Sequence, residues 1–564
     1  MLKVYTLAAL LAMGAATAPL FAQEEVKNTT AVQSELARGY IRPSLTVIYV
    51  TDGSEAALKS LEVLRKQSTE QFDHNTLSLP VGTLEIDFKN KDEYPARLKE
   101  YAENFFKEHK VGQGIMHCWF PKFDEKEKAY SLDFLAQRAA YGATDSDILT
   151  AEASKRGKNT SLMTLGERMI DRSYVQVVYL SVGDAEKKQG VTVNTILYKL
   201  DFGSEVSTNF YEKGFNSANG IDKTDFPLTY VNNTKEMKSP GLVEEDTTAT
   251  NKDDFFSNLF GIGGTPNSGT EFYENLLIEM GKVCPDFEVK GPIAETGPLR
   301  AKLGLKEGLK IDDRFFVMEQ EQQPDGTTKD VRRAVVRVGR KIVDNRKNAD
   351  GHSEEYTTFY QVGGRSYDKG MTLVSKKDLG IYLVPLVSNN FVGVEAEIRT
   401  SRFTKIPGTF IYGRFGLPLG SRGVLNSTYG PVVASGYVSN ETGVADKTVT
   451  VLQGMLGLRK EFNFARFLNL SAHIGFGGYG LTLKDEEKGM IIQNKDGSHY
   501  VIEDKIIRAF TANAGARFGV QVSPLLNLFV GAEYGVTFGD QASLVTEQWG
   551  ISPISASLGA RFNF

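Results

Sequence analysis

The last fourteen residues, 551–564, constrain the fold of this chain more than any other stretch. Apolar side chains occupy alternate positions of this segment, and small or polar side chains occupy the positions between them. The apolar positions are Ile554, Ala556, Leu558, Ala560, Phe562 and Phe564. A strand with one wholly apolar face needs an apolar environment on that side. The pattern therefore predicts a β-strand that faces either a protein core or lipid.

Seven further segments of spanning length precede this strand, separated by turns that contain Gly, Asn, Asp and Pro. Together the eight predict an antiparallel eight-stranded transmembrane β-barrel over residues 386–564. The predicted strands are Phe391–Thr400, Thr409–Leu417, Tyr429–Val438, Val449–Phe462, Phe467–Leu481, Ile507–Val522, Asn527–Phe538 and Ser555–Phe564. Eight strands enclose a lumen that side chains just fill, which argues against a wide pore.

Charged residues fall on the predicted inward face of these strands. They are Glu395, Glu397, Arg399, Arg414, Arg459, His473, Arg517, Glu533 and Arg561. Because an unpaired charge in a narrow lumen costs several kcal/mol, we expect these side chains to form one ion-paired network. Glu533 is expected to offset Arg517 and Arg561 on the flanking strands. A salt-bridged plug is therefore favoured over a proton or ion path.

The amino terminus has the pattern of a secretory signal peptide, residues 1–22. The basic Lys3 precedes an apolar stretch, and cleavage after Ala22 would start the mature chain at Gln23. No later apolar run approaches the ~18 residues that a spanning helix needs. Any membrane insertion of the mature chain must therefore use strands.

Three regions of different pattern lie between the signal peptide and the barrel. Residues 23–203 alternate strands and helices, which predicts a periplasmic α+β domain with helices over a sheet. Residues 204–269 are rich in Asn, Asp, Thr, Ser and Gly and predict a polar linker or insertion. Residues 270–385 begin with an amphipathic helix and continue as a small β domain, in which 308–317 is similar to the entrance turn of small closed barrels. The basic residues of that domain predict a solvated face, with lipid head groups or an acidic polymer as the alternative contact.

The sequence offers little for catalysis or metal binding. Its six histidines have no metal-ligand spacing, and no Gly-x-Ser-x-Gly motif is present. The apolar run Ile115–Phe120 predicts a strand, and His117 within it is expected to be a core histidine. The 65 Lys and Arg against 70 Asp and Glu do not favour nucleic-acid binding. We therefore expect no enzyme activity, no cofactor, no metal site and no nucleic-acid partner.

The two cysteines, Cys118 and Cys284, exclude a cysteine-based zinc site and a small disulfide scaffold. In an oxidising compartment they could pair with each other. The alternative is two buried thiols that never meet, since spacing along the chain does not give their distance in space.

Residues 386–564 resemble the eight-stranded OmpA-like barrels of bacterial outer membranes. The resemblance rests on the alternation, the strand count and the final Phe564. It implies an outer-membrane barrel in contact with lipid, soluble domains in the periplasm, and recognition of Phe562 and Phe564 by the barrel-insertion machinery. The order departs from the best-known layout, because the soluble part precedes the barrel. No peptidoglycan-binding signature is visible, so peptidoglycan binding is not implied.

The expected function follows from this organisation. An outer-membrane barrel would anchor a periplasmic interaction module in a structural or assembly role, with periplasmic proteins as partners. The alternatives are a component of secretion or surface-assembly machinery and a small-barrel outer-membrane enzyme.

Overall fold

The computed structural model confirms the predicted multidomain architecture, with an α/β domain followed by a small barrel and a larger barrel. The described residues are 41–67, 69, 71–85, 94–142, 165–182, 190–239, 269–323, 328–346, 355–418, 424–429, 443–448, 451–482, 491–493, 499–501, 506–539, 542, 546 and 551–564. The predicted signal peptide lies outside them.

The α/β domain is built on one mixed seven-stranded sheet. The strands of this domain are β1 (Ser44–Thr51), β2 (Asp73–His74), β3 (Gly82–Thr83), β4 (Phe123–Asp124), β5 (Ala129–Tyr130), β6 (Ser173–Val182), β7 (Val191–Leu200), β8 (Leu228–Asn233) and β9 (Met237–Ser239). β1 pairs in parallel with β2, β3 and β6, whereas β7 pairs antiparallel with β6, β8 and β9. β4 and β5 form a separate hairpin. Both faces of β6 and β7 are buried, which explains why neither strand alternates cleanly between apolar and polar residues.

Helices cover both faces of this sheet. They are α1 (Glu55–Arg65), α2 (Tyr94–Glu108), α3 (Val111–Trp119), α4 (Asp133–Gly142), α5 (Ser204–Asn209), α6 (Gly220–Lys223) and α7 (Gly269–Val283). α2 and α3 pack on one face through Leu98 and Trp119. α1 and α7 pack on the other face through Leu61 and Phe272. Within the described ranges, no helix is long and apolar enough to cross a membrane.

Three predicted features of this region differ in the structure. Ile115–Phe120 does not form a strand, because Ile115 and Trp119 recur at helical spacing and lie on the buried side of α3. Residues 204–239 of the predicted linker fold into α5, α6, β8 and β9, and 240–268 lie outside the described residues. β8 has a polar sequence because most of it is exposed at the sheet edge. α7 packs on the α/β sheet rather than on the small β domain, since its apolar stripe fits the face that α1 covers.

The predicted small β domain is a closed six-stranded barrel. Its strands are β10 (Lys290–Thr296), β11 (Leu299–Ala301), β12 (Arg314–Gln322), β13 (Thr328–Val338), β14 (Thr357–Gly364) and β15 (Thr372–Ser375). Ile293, Phe315, Val336 and Leu373 are part of its buried core. We call this domain the small barrel.

The basic residues of the small barrel divide into two groups. At the surface, Arg333 pairs with Glu319 and Lys341 pairs with Glu355, as a solvated face requires. Arg337 on β13 is only 6 % exposed and lies at the junction with the larger barrel. Arg337, which the sequence predicts to lie on the solvated basic face, is therefore buried in the interface between the two barrels.

The carboxyl-terminal part is a closed antiparallel barrel of eight strands, as predicted. The elements of this part are β16 (Ile381–Ser388), β17 (Phe391–Arg399), α8 (Ser401–Thr404), β18 (Thr409–Pro418), β19 (Val424–Tyr429), β20 (Gly443–Thr448), β21 (Val451–Asn463), β22 (Leu468–Thr482), β23 (Ile491–Gln493), β24 (His499–Val501), β25 (Ile506–Ser523), β26 (Leu526–Phe538) and β27 (Ile554–Asn563). The barrel order is β16, β17, β18, β21, β22, β25, β26 and β27, and β27 pairs with β16 to close it. β19, β20, β23 and β24 form a separate four-stranded sheet.

The count of eight is right, but one of the predicted strands is wrong. Tyr429 ends β19 outside the closed sheet, and 430–438 lies outside the described residues. β16 supplies the missing strand, so the barrel begins at Ile381 rather than at 386. Its inward side chains include Tyr382 and Val384, and Pro385 interrupts its backbone pairing with β27. A strand that is apolar on both faces and contains proline lacks the alternation that identified the others.

The outer face of this barrel is an apolar belt. Phe462, Ile474, Phe476, Val530 and Tyr534 are each 51–60 % exposed. The chain enters and leaves the barrel at one end, where the backbone N–H of Leu379 donates to the carbonyl of Phe564 at 3.1 Å. We call this the inner end, and the opposite end, which leads to β19 and β20, the outer end.

A charged lumen joined to the small barrel as the candidate functional site

The nine charged or titratable residues predicted to face inward lie in the lumen or at its inner end. Glu395 and Glu397 on β17 are fully buried, whereas Val394, one position before Glu395, is 43 % exposed on the outer face. The period of two along the strand therefore separates carboxylates from apolar side chains.

Glu395 is the centre of the lumen network. Its carboxylate accepts a hydrogen bond from Nε of Arg414 at 3.1 Å. It accepts two more from Nη1 and Nη2 of Arg517, each at 2.9 Å, and another from Nη2 of Arg459. All four side chains are at most 4 % exposed. One carboxylate thus holds three guanidinium groups that strands β18, β21 and β25 direct to the same point.

A second group of ion pairs lies beside Glu395. Glu397 forms an ion pair with Arg459, and its carboxylate lies 2.7 Å from Nη2 of Arg561. Arg561 also donates from Nη1 to Glu461 at 2.5 Å. Sequence reasoning missed Glu461, although its spacing of two residues from Arg459 puts it on the same face of β21. The signal that identified the other inward charges was present for this one too.

Glu533 has different partners from those expected. Nη1 of Arg414 lies 3.0 Å from both carboxylate oxygens of Glu533. Nε2 of His473 lies 3.2 Å from Glu533, and Nδ2 of Asn513 donates to it at 3.0 Å. The expected pairing with Arg517 and Arg561 is therefore wrong. Arg414 lies on β18, which is not a neighbour of β26 in the barrel, so Glu533 meets its arginine across the narrow lumen.

Arg399 lies outside these groups, at the inner end of the barrel. Its Nη1 donates to Asp378 at 3.0 Å, and Nη2 of Arg337, from the small barrel, donates to the same carboxylate at 2.5 Å. Nδ2 of Asn563 adds a third bond at 3.0 Å. Burial alone would raise the pKa of Asp378, but the charges of Arg337, Arg399 and Arg314 hold it well below its usual range. One buried carboxylate therefore joins the two barrels.

A second acidic residue, Asp312, reinforces this junction. Its side chain accepts from Oη of Tyr360 at 2.5 Å and from the backbone N–H of Gly408 at 2.7 Å. Its carbonyl accepts from Nη1 of Arg337 at 2.8 Å. Gly408 has a φ of +67°, and a Cβ there would lie 2.8 Å from the carbonyl oxygen of Glu461, so this turn of the larger barrel requires glycine. The stretch that is similar to an entrance turn, 308–317, therefore contributes to the junction with the larger barrel, together with Arg337 on β13.

Two cavities lie on either side of the ion pairs. The outer cavity has a volume of about 310 Å³, and its lining includes Glu533, Tyr479 and Asn513. The inner one, about 30 Å³, lies at the junction and is lined by Asp312 and Arg561 among others. The inner volume has room for only one or two water molecules. The network thus fills the middle of the lumen, and the small barrel narrows its inner end.

The two cysteines are free thiols in the structure, which answers the question that the sequence left open. Cys118 lies on α3 and Cys284 follows α7, and these helices cover opposite faces of the sheet. The sheet between them prevents a disulfide. Burial raises the pKa of Cys284 to about 11, so its thiol stays protonated near neutral pH.

His117 is not a core histidine, because its position on α3 turns the side chain outward. The side chain is 43 % exposed, and its Nε2 lies 3.1 Å from the carboxylate of Asp222. Across the described parts of the chain, no group of three or more His, Cys, Asp or Glu residues could hold a metal ion.

No protein-family model matches this chain, and no curated protein matches it. Among solved structures, the amino-terminal β-barrel domain of OprF from Pseudomonas aeruginosa is 12 % identical, over 33 % of this chain and 95 % of that one, with a TM-score of 0.20. CarO2 from Acinetobacter baumannii is 11 % identical over 33 % and 100 %, with a TM-score of 0.14. A major outer membrane protein from Thermus thermophilus is 12 % identical over 33 % and 98 %, with a TM-score of 0.17. At these values the assignment of the fold rests on the strand pairing itself.

Proposed function

We propose that this protein is an outer-membrane anchor, whose plugged barrel fixes a periplasmic interaction module to the membrane in a structural or assembly role. The apolar belt supports insertion in lipid, since side chains such as Ile474 and Val530 would otherwise expose a large apolar surface to water. The ion pairs around Glu395 support a structural rather than a conducting lumen. The protein then acts by holding its soluble domains in place, without a chemical step.

The junction at Asp378 is the observation that carries this proposal. Arg337 of the small barrel and Arg399 of the larger barrel share one buried carboxylate. A flexible tether would leave such charges in water, where an ion pair contributes little. Burying them fixes the orientation of the small barrel at the inner end, which an anchor for a protein assembly requires. The partners in this proposal are periplasmic proteins that bind the α/β domain.

The topology gives the first prediction. The α/β domain and the small barrel both precede β16 at the inner end, and we expect that end of the barrel to face the periplasm. Protease added to intact cells should leave residues 23–375 uncut, and the same protease should digest exposed segments once the outer membrane is permeabilised. Removal of the soluble domains from intact cells would contradict the orientation.

A second prediction concerns Phe564, which we propose is read by the barrel-insertion machinery together with Phe562. Deletion of Phe564 should leave most of the chain uninserted in the periplasm, where it is degraded. The measurement is heat-modifiable barrel in outer-membrane fractions. Phe476→Ala is the matched control, because Phe476 is similarly exposed on the belt but lies in β22, and it should insert normally. Normal insertion of the deletion variant would refute the role of Phe564.

A further inference from the structure

Small residues on the inward face of the larger barrel create the outer cavity. Gly535 on β26 lines it, and Gly416 and Gly477 occupy inward positions beside it, since they pair across the sheet with the lining residues Gln453 and Met455. Glycine at these positions leaves the volume free, whereas the arginines of the ion-pair network occupy the middle of the lumen. The volume of about 310 Å³ is at the lower end of the range of small-molecule sites.

Two buried amide side chains in the lining have hydrogen-bonding capacity that the protein does not use. Gln453 is 2 % exposed, and its Nε2 donates to Oη of Tyr479 at 3.1 Å. Asn513 is 7 % exposed, and its Nδ2 donates to Glu533 at 3.0 Å. Among the described residues, Oε1 of Gln453 and Oδ1 of Asn513 have no hydrogen-bond partner. Buried acceptors without partners are rare in folded proteins, so these two indicate a donor on a molecule bound in the cavity.

Hydroxyl groups and apolar side chains complete the lining. Thr511 and Ser555 contribute hydroxyl groups, and Oγ of Ser555 also has no partner in the described part of the chain. Phe391, Met455 and Ile551 contribute apolar surface. A hydroxyl group can both donate and accept a hydrogen bond, so it can meet an amide carbonyl as well as another hydroxyl group. The cavity therefore matches a ligand that carries several hydroxyl groups on a compact carbon frame.

The charges of the lumen favour a neutral ligand. Its ion pairs join four carboxylates to four guanidinium groups, Glu395, Glu397, Glu461 and Glu533 with Arg414, Arg459, Arg517 and Arg561. Glu533, which lines the cavity, already has Arg414 as its counter-charge. A cationic or anionic ligand would add an unpaired charge to this narrow space, and a buried unpaired charge is strongly unfavourable.

We propose that the outer cavity binds a neutral, hydroxyl-rich molecule of the size of a single sugar ring. Hydroxyl groups of the ligand would donate to the carbonyl oxygens of Gln453 and Asn513 and would accept from Ser555. Phe391 would contact the carbon frame. The larger barrel would then have a binding role in addition to that of an anchor, since the ion pairs that block its lumen also form the floor of the site.

The test uses the full chain, refolded in a zwitterionic detergent that has no sugar head group, with D-glucose as the probe. Saturation-transfer NMR should detect binding with a Kd of roughly 0.1–10 mM, as expected for a neutral molecule of this size. D-glucosamine in mildly acidic buffer and D-glucuronate place a positive and a negative charge on the same ring. Both should bind at least roughly ten-fold more weakly than D-glucose. Equal or tighter binding of either charged sugar would overturn the neutral site.

Gly535→Leu should abolish binding, because its side chain would enter the cavity. The atoms nearest to a Cβ at this position are 3.8 Å away, so the backbone accommodates the substitution. Gly480→Leu is the matched control, since a Cβ there meets no atom within 4 Å. Gly480 pairs with Leu452, which is exposed on the outer face of the barrel, so this variant should bind D-glucose as the unsubstituted chain does.

Gln453→Met removes one of the unpaired acceptors with little change in volume, and it should weaken the binding of D-glucose about two- to ten-fold. Gel mobility measures the folding of the barrel separately for every variant. A folded unsubstituted chain that does not bind D-glucose, or a folded Gly535→Leu variant that binds it normally, would overturn the site and indicate water alone in the cavity. Either result would leave the anchor standing, because the anchor is tested by membrane insertion and protease access.

Discussion

Glu395→Gln should destabilise the larger barrel by about 3–5 kcal/mol, because it removes the counter-charge of three buried arginines. Arg414 keeps Glu533 and Arg459 keeps Glu397 as alternative partners, whereas Arg517 keeps only a contact of 4.0 Å to Glu397. The measurement is urea unfolding of the refolded full chain in detergent, with folded and unfolded barrel separated by gel mobility. An unfolding midpoint equal to that of the unsubstituted chain would show that the arginines do not depend on Glu395.

Glu533→Gln tests a second carboxylate of the same lumen, whose loss should destabilise the barrel less than the loss of Glu395. Glu533 faces one arginine, with His473 and Asn513 as further partners, so its loss should cost about 1–4 kcal/mol and less than the loss of Glu395. The double variant Glu395→Gln, Arg517→Gln should recover part of the loss, because it removes the arginine that depends most on Glu395. A double variant that is as unstable as the sum of its single variants would argue against direct coupling.

Asp378→Asn should loosen the small barrel from the larger one at a cost of about 3–5 kcal/mol, because Arg337 and Arg399 would lose the carboxylate that they share, and Asp312, 3.8 Å from Nε of Arg399, replaces it only in part. Spin labels at the exposed Lys341 and Ala465, in a variant without native cysteines, would report the distance between the barrels. The distance distribution should be narrow when the carboxylate is present and broad in the Asp378→Asn variant. Asp344→Asn is the control, because Asp344 pairs with Arg346 at the surface and should leave the distribution narrow.

The same junction should respond to pH in one direction. Asp378 has a pKa well below its usual range in the folded protein, against about 3.9 in an unfolded chain. Its contribution to stability is therefore complete above about pH 4 and is lost as the pH falls toward the folded-state pKa. The distance distribution should stay narrow just below about pH 4, where Asp378 is still ionised in the folded protein, and should broaden only as the pH approaches its lowered pKa. A distribution that is already broad at about pH 4 would contradict the role of this carboxylate.

The sequence predicted the inward charges of the larger barrel because strand geometry is local. Side chains alternate with a period of two, so an apolar position on one side fixes its neighbour on the other. Glu397 and Arg459 are placed by that rule without any knowledge of their partners. The same rule would have placed Glu461. It could not identify β16, whose inward positions Tyr382 and Val384 are as apolar as its outward ones.

Helical and edge segments were harder to predict because their patterns are ambiguous over short lengths. Ile115–Phe120 is apolar enough for a buried strand, and only its packing against the sheet shows that it is helical. β8 carries polar residues because it lies at an edge, so composition alone made it look like a linker. In both cases the neighbours in space, rather than the local sequence, decided the element.

The sequence by itself determined seven of the eight barrel strands and the charges on their inward face, because alternation and length are properties of each strand alone. Only the tertiary structure decided which charges meet. Glu533 pairs with Arg414 across the lumen, and Arg399 pairs with Asp378, which lies between β15 of the small barrel and β16 of the larger one. These pairings depend on the closure of the sheet and on the position of the small barrel at its inner end. The alternation of side chains along a single strand predicts neither.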